Sequence, residues 1–93
     1  MAGREETVWV KIEDLVPAPW NINEMDDEAF IALMADMNRP SGPYRINPIR
    51  VRPIRGGKYQ IIDGHQRVEA AKRLNWAEIR AVVVDCSELE ARI

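Results

Sequence analysis

Cysteine is almost missing from this chain: Cys86 stands alone, so no internal disulfide can form, and with only one histidine, His65, there is no Cys/His set for zinc. Aromatic residues are scarce at 6%, with a single phenylalanine. No apolar run approaches the ~18 residues that a membrane helix requires. Met1–Glu6 carries no apolar stretch behind Arg4, so the start of the chain lacks the pattern of a secretory leader. Repeats and low-complexity segments are absent as well. Together these absences lead to the expectation of a reduced, cytoplasmic protein with no membrane partner and no metal site.

What is present describes an ordinary globular domain. The 93 residues, 46% hydrophobic and 30% charged, suit one domain spanning 1–93, with 1–7 expected as a flexible tail. A chain of this length buries only ~60–65% of its unfolded surface, so the core is small. The net charge of −2 conceals a strong segregation. Residues 1–38 hold two basic and nine acidic side chains, whereas residues 39–73 hold nine basic and two acidic. A basic middle third is expected where an anion is handled locally, although two oppositely charged segments can also face one another or the solvent.

The periodicities predict an α+β fold with a small mixed sheet and two main helices, in the order β-α-β-β-α-β. Val8–Ile12 alternates like a first strand. Glu13–Met25, with two prolines and two asparagines, reads as a loop. Asp26 or Asp27 can cap a helix whose apolar positions Phe30, Leu33, Met34 and Met37 follow i, i+3, i+4, i+7. Arg39–Pro43 stops that helix. Pro48–Ile54 reads as a strand whose far end Pro53 confines to an edge, and Arg55–Lys58 turns it into Tyr59–Ile62 as a hairpin. Gln66–Leu74 is a second helix closed by Asn75 in the left-handed conformation. Ile79–Asp85 reads as the most apolar strand, its Ala81–Val84 run implying burial on both faces, and Ser87 is placed to cap a terminal helix.

The chemistry concentrates in Ile61-Ile62-Asp63-Gly64-His65-Gln66-Arg67, where a strand enters a helix through glycine. Free backbone N–H groups and the helix dipole make such a junction an anion site, and Gly64 allows a ligand close to the backbone. His65, Gln66 and Arg67 add three hydrogen-bonding side chains in the first turn. Arg67 shares a helical face with Ala70, Ala71 and Leu74, which must point to the core. A bare charge there costs several kcal/mol, so Arg67 needs a carboxylate (Asp63, Asp36 or Glu69), a set of carbonyls, or a bound anion. Beside Asp63, His65 can move a proton near neutral pH or orient a phosphate, or simply satisfy local hydrogen bonds. Asp63 itself suits a general base, a magnesium ligand or an acceptor of turn N–H groups. Asn21, Asn23 and Glu24 offer polar contacts or turn chemistry. Arg50, Arg52, Arg55 and Lys58 form either a nucleic-acid contact or a solvated strand face; only Tyr44 and Tyr59 are near them for base stacking. Trp9, Trp20 and Trp76 read as core or loop anchors, and Cys86 as a core or rim residue.

From Trp9 to about Asp85 the chain resembles the ParB/sulfiredoxin fold, specifically the N-terminal domain of ParB chromosome-partitioning proteins. The stretches Ile12–Asn21, Ile46–Val51 and Tyr59–Ala71 carry the likeness. The last meets the ParB Gly-Glu-Arg-Arg-x-Arg-Ala box, which grips the phosphates of CTP, at Gly64, Arg67 and Ala70, and departs from it at His65, Gln66 and Glu69. Asn47-Pro48 stands at the family's Gly-x-x-Gln-Pro segment. This resemblance implies a ParB-like nucleotide- and phosphate-binding domain, with Asn47, Gly64, His65, Gln66 and Arg67 at the phosphates, acting as a nucleotide-dependent switch or partitioning-type module. Its cofactor would be a nucleoside di- or triphosphate (ATP/ADP or CTP), with Mg²⁺ a candidate companion. Its partners would be another protein or a second copy, with non-specific DNA contact.

Two relatives of the fold imply other chemistry. Sulfiredoxin carries Gly-Cys-His-Arg, and His65 occupies its cysteine position, which removes that activity. Free serine kinases carry Asp-Gly-His-x-Arg, reproduced by Asp63, Gly64, His65 and Arg67. That likeness implies a small-molecule phosphotransferase with Asp63 activating a hydroxyl, His65 and Arg67 holding phosphate, and Glu24 as the remaining acid. A ParB-like nuclease is the third alternative, without the clustered carboxylates that two-metal cleavage uses. The helix-turn-helix domain with which full ParB proteins read DNA is not expected within 93 residues.

Overall fold

The computed structural model describes residues 6–19 and 25–84. Glu24, Trp20, Asn21, Asn23, Cys86 and the terminal helix expected at Ser87 lie outside them. Five strands form one mixed sheet in the order β1-β5-β3-β4-β2. They are β1 (Thr7–Lys11), β2 (Leu15–Val16), β3 (Ile49–Ile54), β4 (Lys58–Asp63) and β5 (Glu78–Val83). The helices are α1 (Asp27–Met37), α2 (Gly42–Arg45) and α3 (His65–Arg73).

Several elements differ from the sequence reading. Thr7, expected in a flexible tail, is paired with Val82 in β1. The segment read as an uninterrupted loop contains β2, two residues that pair in parallel with Tyr59 and Gln60 of β4. The segment read as a helix stop contains the start of α2, because proline is tolerated in a first helical turn, where its missing N–H is not needed. The chain packs very closely there: a Cβ on Gly42 would come 1.9 Å from the Met37 carbonyl oxygen. Val83, expected to be buried, is 39% exposed at the end of β5.

The remaining elements form for the reasons anticipated. Asp26 caps α1, its Oδ1 accepting the Ala29 N–H at 2.8 Å, and Asp27 and Glu28 complement the helix dipole. The β3–β4 hairpin turns through Gly56 and Gly57 at φ 81° and 73°. Asn75 closes α3 at φ 62°. Pro53 lies beyond the last β3–β5 pair, Val51–Val83, so its missing N–H removes no ladder bond on that side.

Helices α1 and α3 pack against each other, and α3 lies against β3. The most deeply buried large side chains are Met37 of α1, Ile49 and Val51 of β3, and Ile79 of β5. Ala70 and Ala71, fully buried, let α3 approach the strands closely. Burying side chains of this size stabilises by ~1.5–3 kcal/mol each. Arg73 of α3 lies 4.8 Å from the Phe30 ring centroid, joining the outer turns of the two helices. This packing fixes the start of α3 at the C-terminal end of β4.

Candidate functional site

Strand β4 ends at Asp63 and α3 begins at His65, so the whole reversal falls on Gly64 at φ 103°. Glycine is required here twice over. The torsion is left-handed, and a Cβ would lie 2.5 Å from Ile49 Cγ2 and 2.9 Å from Ile49 Cβ. Its removal from this position is what lets β3, β4 and α3 converge.

The first turn of α3 then holds two segments distant in sequence. His65 Nε2 accepts the Ala18 N–H at 3.0 Å. In Pro17-Ala18-Pro19, Ala18 alone has an N–H to offer, and it is 3% exposed, so the bond satisfies a buried donor. Accepting at Nε2 puts the proton of neutral imidazole on Nδ1. Nδ1 is buried and has no hydrogen-bond partner among the described residues, an arrangement that costs ~1–3 kcal/mol unless an acceptor arrives. Burial holds the His65 pKa below its ordinary 6.5, opposed by the negative charge of Asp63.

Arg67 Nη1 donates to the carbonyls of Asn47 and Pro48 at 3.3 and 3.4 Å. Of the partners open to Arg67, carbonyls are the ones it finds. Among the described residues, Asp36 pairs with Arg39, Glu69 with Arg73 and Asp14 with Lys58. With Nη1 serving the carbonyls, Nη2 and Nε of the same guanidinium carry three further donors. Asn47 therefore enters through its backbone, which its side-chain chemistry did not foretell.

Residues Asp63–Arg67, with Met25 and Leu33, line a cavity of about 310 Å³. One wall is a helix N-terminus with polar side chains, and the other is apolar. Gly64, His65, Gln66 and Arg67 are thus brought together, with Asp63 beside them, exposed and paired in register with Arg50. Arg50 and Arg52 lie on the sheet face opposite Ile49 and Val51, with Arg52 Nε bonded to Gln60 Oε1 at 2.6 Å. Arg55 is exposed in the hairpin turn, and Lys58 reaches Asp14 at 3.6 Å. These four cations are not in the cavity lining. Among the described residues there is no group of three or more His, Cys, Asp or Glu arranged to hold a metal. Sequence reasoning missed Ala18, Met25 and Leu33. The flanking prolines of Ala18 were its only signal, and the other two showed only as apolar residues near α1.

The family model described as the ParB N-terminal domain matches residues 1–93. The chain is 32% identical over 87 residues to a nucleoid occlusion protein from Geobacillus kaustophilus (strain HTA426), covering 94% of this chain and 30% of that protein. It therefore spans about 30% of the length of such curated relatives. Among solved structures, the C-terminally truncated chromosome-partitioning protein ParB from Caulobacter crescentus, complexed with CTP-γ-S, is 26% identical with a TM-score of 0.79. That match covers 94% of this chain and 48% of the ParB chain. Sulfiredoxin from Arabidopsis thaliana, 23% identical with a TM-score of 0.74 over 94% of this chain and 93% of its own, shares the fold. A free serine kinase in complex with AMP, 17% identical with a TM-score of 0.65 over 89% of this chain and 32% of its own, shares it too.

Proposed function

The chain belongs to the ParB N-terminal domain family, and on that premise we propose that it is a nucleotide-dependent switch module of the partitioning or nucleoid-occlusion type. The start of α3 would receive the phosphates. Carrying this reading is the convergence at one cavity wall of a left-handed Gly64, an Arg67 guanidinium and a buried His65 Nδ1 without a partner among the described residues. Phosphate oxygens would accept from the N–H groups of the first turn, from Gln66 and from the remaining Arg67 donors. Bonds from Arg67 to the Asn47–Pro48 carbonyls would couple phosphate binding to the entry of β3. The CTP analogue bound by the Caulobacter ParB supports a nucleoside di- or triphosphate, with CTP or ATP/ADP as the candidates.

DNA, a protein partner and self-association belong to the same reading. Of these, DNA contact is supported by a second Caulobacter ParB structure, complexed to the centromeric parS site, 25% identical with a TM-score of 0.71 over 91% of this chain and 42% of its own. Arg50, Arg52, Arg55 and Lys58 would supply any non-specific phosphate contact, which weakens steeply with salt. No helix among the described residues is long and apolar enough to cross a membrane, and the likeness to nucleoid occlusion proteins supports a cytoplasmic location.

Thermal stability in ATP, ADP, CTP and GTP with Mg²⁺ tests the site. At about a hundredfold excess over Kd, a bound nucleotide stabilises by ~2.7 kcal/mol, which raises the Tm of a domain this small by roughly 10 °C or more. The shift should vanish in Arg67→Ala. No shift with any nucleotide overturns the reading.

Asp63 and His65 on one cavity wall favour a second reading, a nucleotide-dependent phosphotransferase with Asp63 as base, and Glu24 as a further acid on sequence grounds. Incubation with labelled ATP or ADP and hydroxyl acceptors separates the two, because a switch that only binds leaves acceptors unlabelled.

A further inference from the structure

A second concavity, of about 420 Å³, lies away from the start of α3, between Trp9 of β1, Pro43 and Tyr44 of α2, and the Trp76–Glu78 approach to β5. Its rings are not placed as ordinary core. Trp9 and Tyr44 meet edge to face, with centroids 5.3 Å apart and planes at 73°, yet they are 41% and 67% exposed. Trp76 supplies a third aromatic wall and is anchored on the core side. Scattered exposed apolar residues mean little, but three aromatic side chains around one concavity form a continuous patch.

Charge selects the occupant. The concavity continues into one of about 530 Å³ that shares Trp76–Glu78 and adds Lys11, Ile12 and Glu13. Glu78 thus borders both, and Glu13 borders the second. Among the described residues neither carboxylate is in an ion pair, although Lys11 stands opposite Glu78 in the β1–β5 register. The cation opposite Trp9, Arg80, turns inward and donates through Nη2 to the Ile46 carbonyl at 2.8 Å. Aromatic faces attract cations. Arginine both stacks on such faces and forks to a carboxylate, which lysine cannot match.

We propose that this surface docks an extended segment of a partner protein through an arginine side chain, stacked in the Trp9–Tyr44–Trp76 corner and forked to Glu78. Tryptophan, tyrosine and arginine are the side chains that dominate binding where they meet at a buried contact. The site is independent of the phosphate-binding reading, since it shares no residue with the α3 cavity.

Tryptophan fluorescence of the chain, titrated with a nine-residue peptide carrying two arginines among glycine, serine and proline, tests it. The emission should shift and saturate. Replacing both arginines with lysine should weaken binding by about fivefold, and replacing them with glutamine should abolish it. Tyr44→Ala and Glu78→Gln should each weaken it by about fivefold while the chain still unfolds cooperatively, since both side chains are exposed. Equal binding of the glutamine peptide, or full binding by both variants, overturns the proposal. So does tighter binding of a single-stranded oligonucleotide at the same site. Self-association of the free chain that Tyr44→Ala abolishes would likewise overturn it, by assigning the patch to a second copy.

Discussion

Replacing Gly64 with alanine is the sharpest perturbation of the candidate site. Holding an L-residue in a left-handed conformation costs roughly 1–2 kcal/mol, and Gly64 has φ 103°. The added Cβ then meets Ile49 at 2.5 and 2.9 Å. Ile49 is fully buried and pairs with Ala81 of β5, so it has no room to retreat; overpacking of this kind adds ~1–3 kcal/mol. Stiffening of the unfolded chain returns ~0.4–1 kcal/mol. The net is a loss of about 3 kcal/mol, or a fall in Tm of roughly 12–24 °C for a domain of this size. Gly56→Ala is the matched control, because Gly56 is also left-handed, at φ 81°, but a Cβ there meets nothing within 4 Å. It should lose only the conformational part, about 1 kcal/mol. Urea denaturation of both variants measures the difference. If Gly64→Ala falls within about 0.5 kcal/mol of Gly56→Ala, Ile49 yields and the close-packing argument is wrong.

Two further perturbations address other parts of the fold. Because burial lowers the His65 pKa, the unfolded chain binds more protons than the folded one as pH falls from about 6.5 toward the folded pKa. Stability is therefore full above that window and declines through it, as the imidazolium can no longer accept the Ala18 N–H. His65→Gln, which keeps an acceptor but does not titrate, should flatten the decline in urea midpoint between about pH 7.5 and 5.5, and parallel declines would refute the linkage. Asp26→Ala removes the α1 cap and should cost ~1 kcal/mol, whereas Asp26→Asn should retain most of the stability; equal losses in thermal melts would mean the charge matters and the hydrogen bond does not.

Local chemistry was legible where it was self-contained. The Asp26 cap, the Gly56–Gly57 turn, the Asn75 closure and the apolar stripe through Met37 each depend on a few neighbouring residues, and each is found. The strand–glycine–helix junction at Gly64 was legible for the same reason. Elements that exist through distant partners were not. Leu15–Val16 is too short to show a strand pattern and is extended only because β4 lies beside it. Gly42-Pro43 looks like a breaker until the first-turn tolerance for proline is set against the packing of Gly42 on Met37. Trp9 was read as an anchor, yet β1 is an edge strand and leaves the ring 41% exposed. A set of carbonyls was among the partners open to Arg67, but that they are those of Asn47 and Pro48 follows only from the fold.

Strand β5 comes last among the described strands but is interior in the sheet, flanked by β1 and β3. During synthesis, β1 has no partner until residues 78–83 have emerged, because its pairing runs from Lys11–Glu78 to Thr7–Val82. Until then Val10, Ile49 and Val51 lack Ile79 and Ala81, and the edges of β1 and β3 are open to other nascent chains. Closing residue 7 onto residue 82 is a long-range step that local turns cannot accelerate. The hairpin and α3 can assemble early, but the sheet is completed only when β5 emerges. Aggregation risk and chaperone handling should therefore concentrate in the interval before β5 is made.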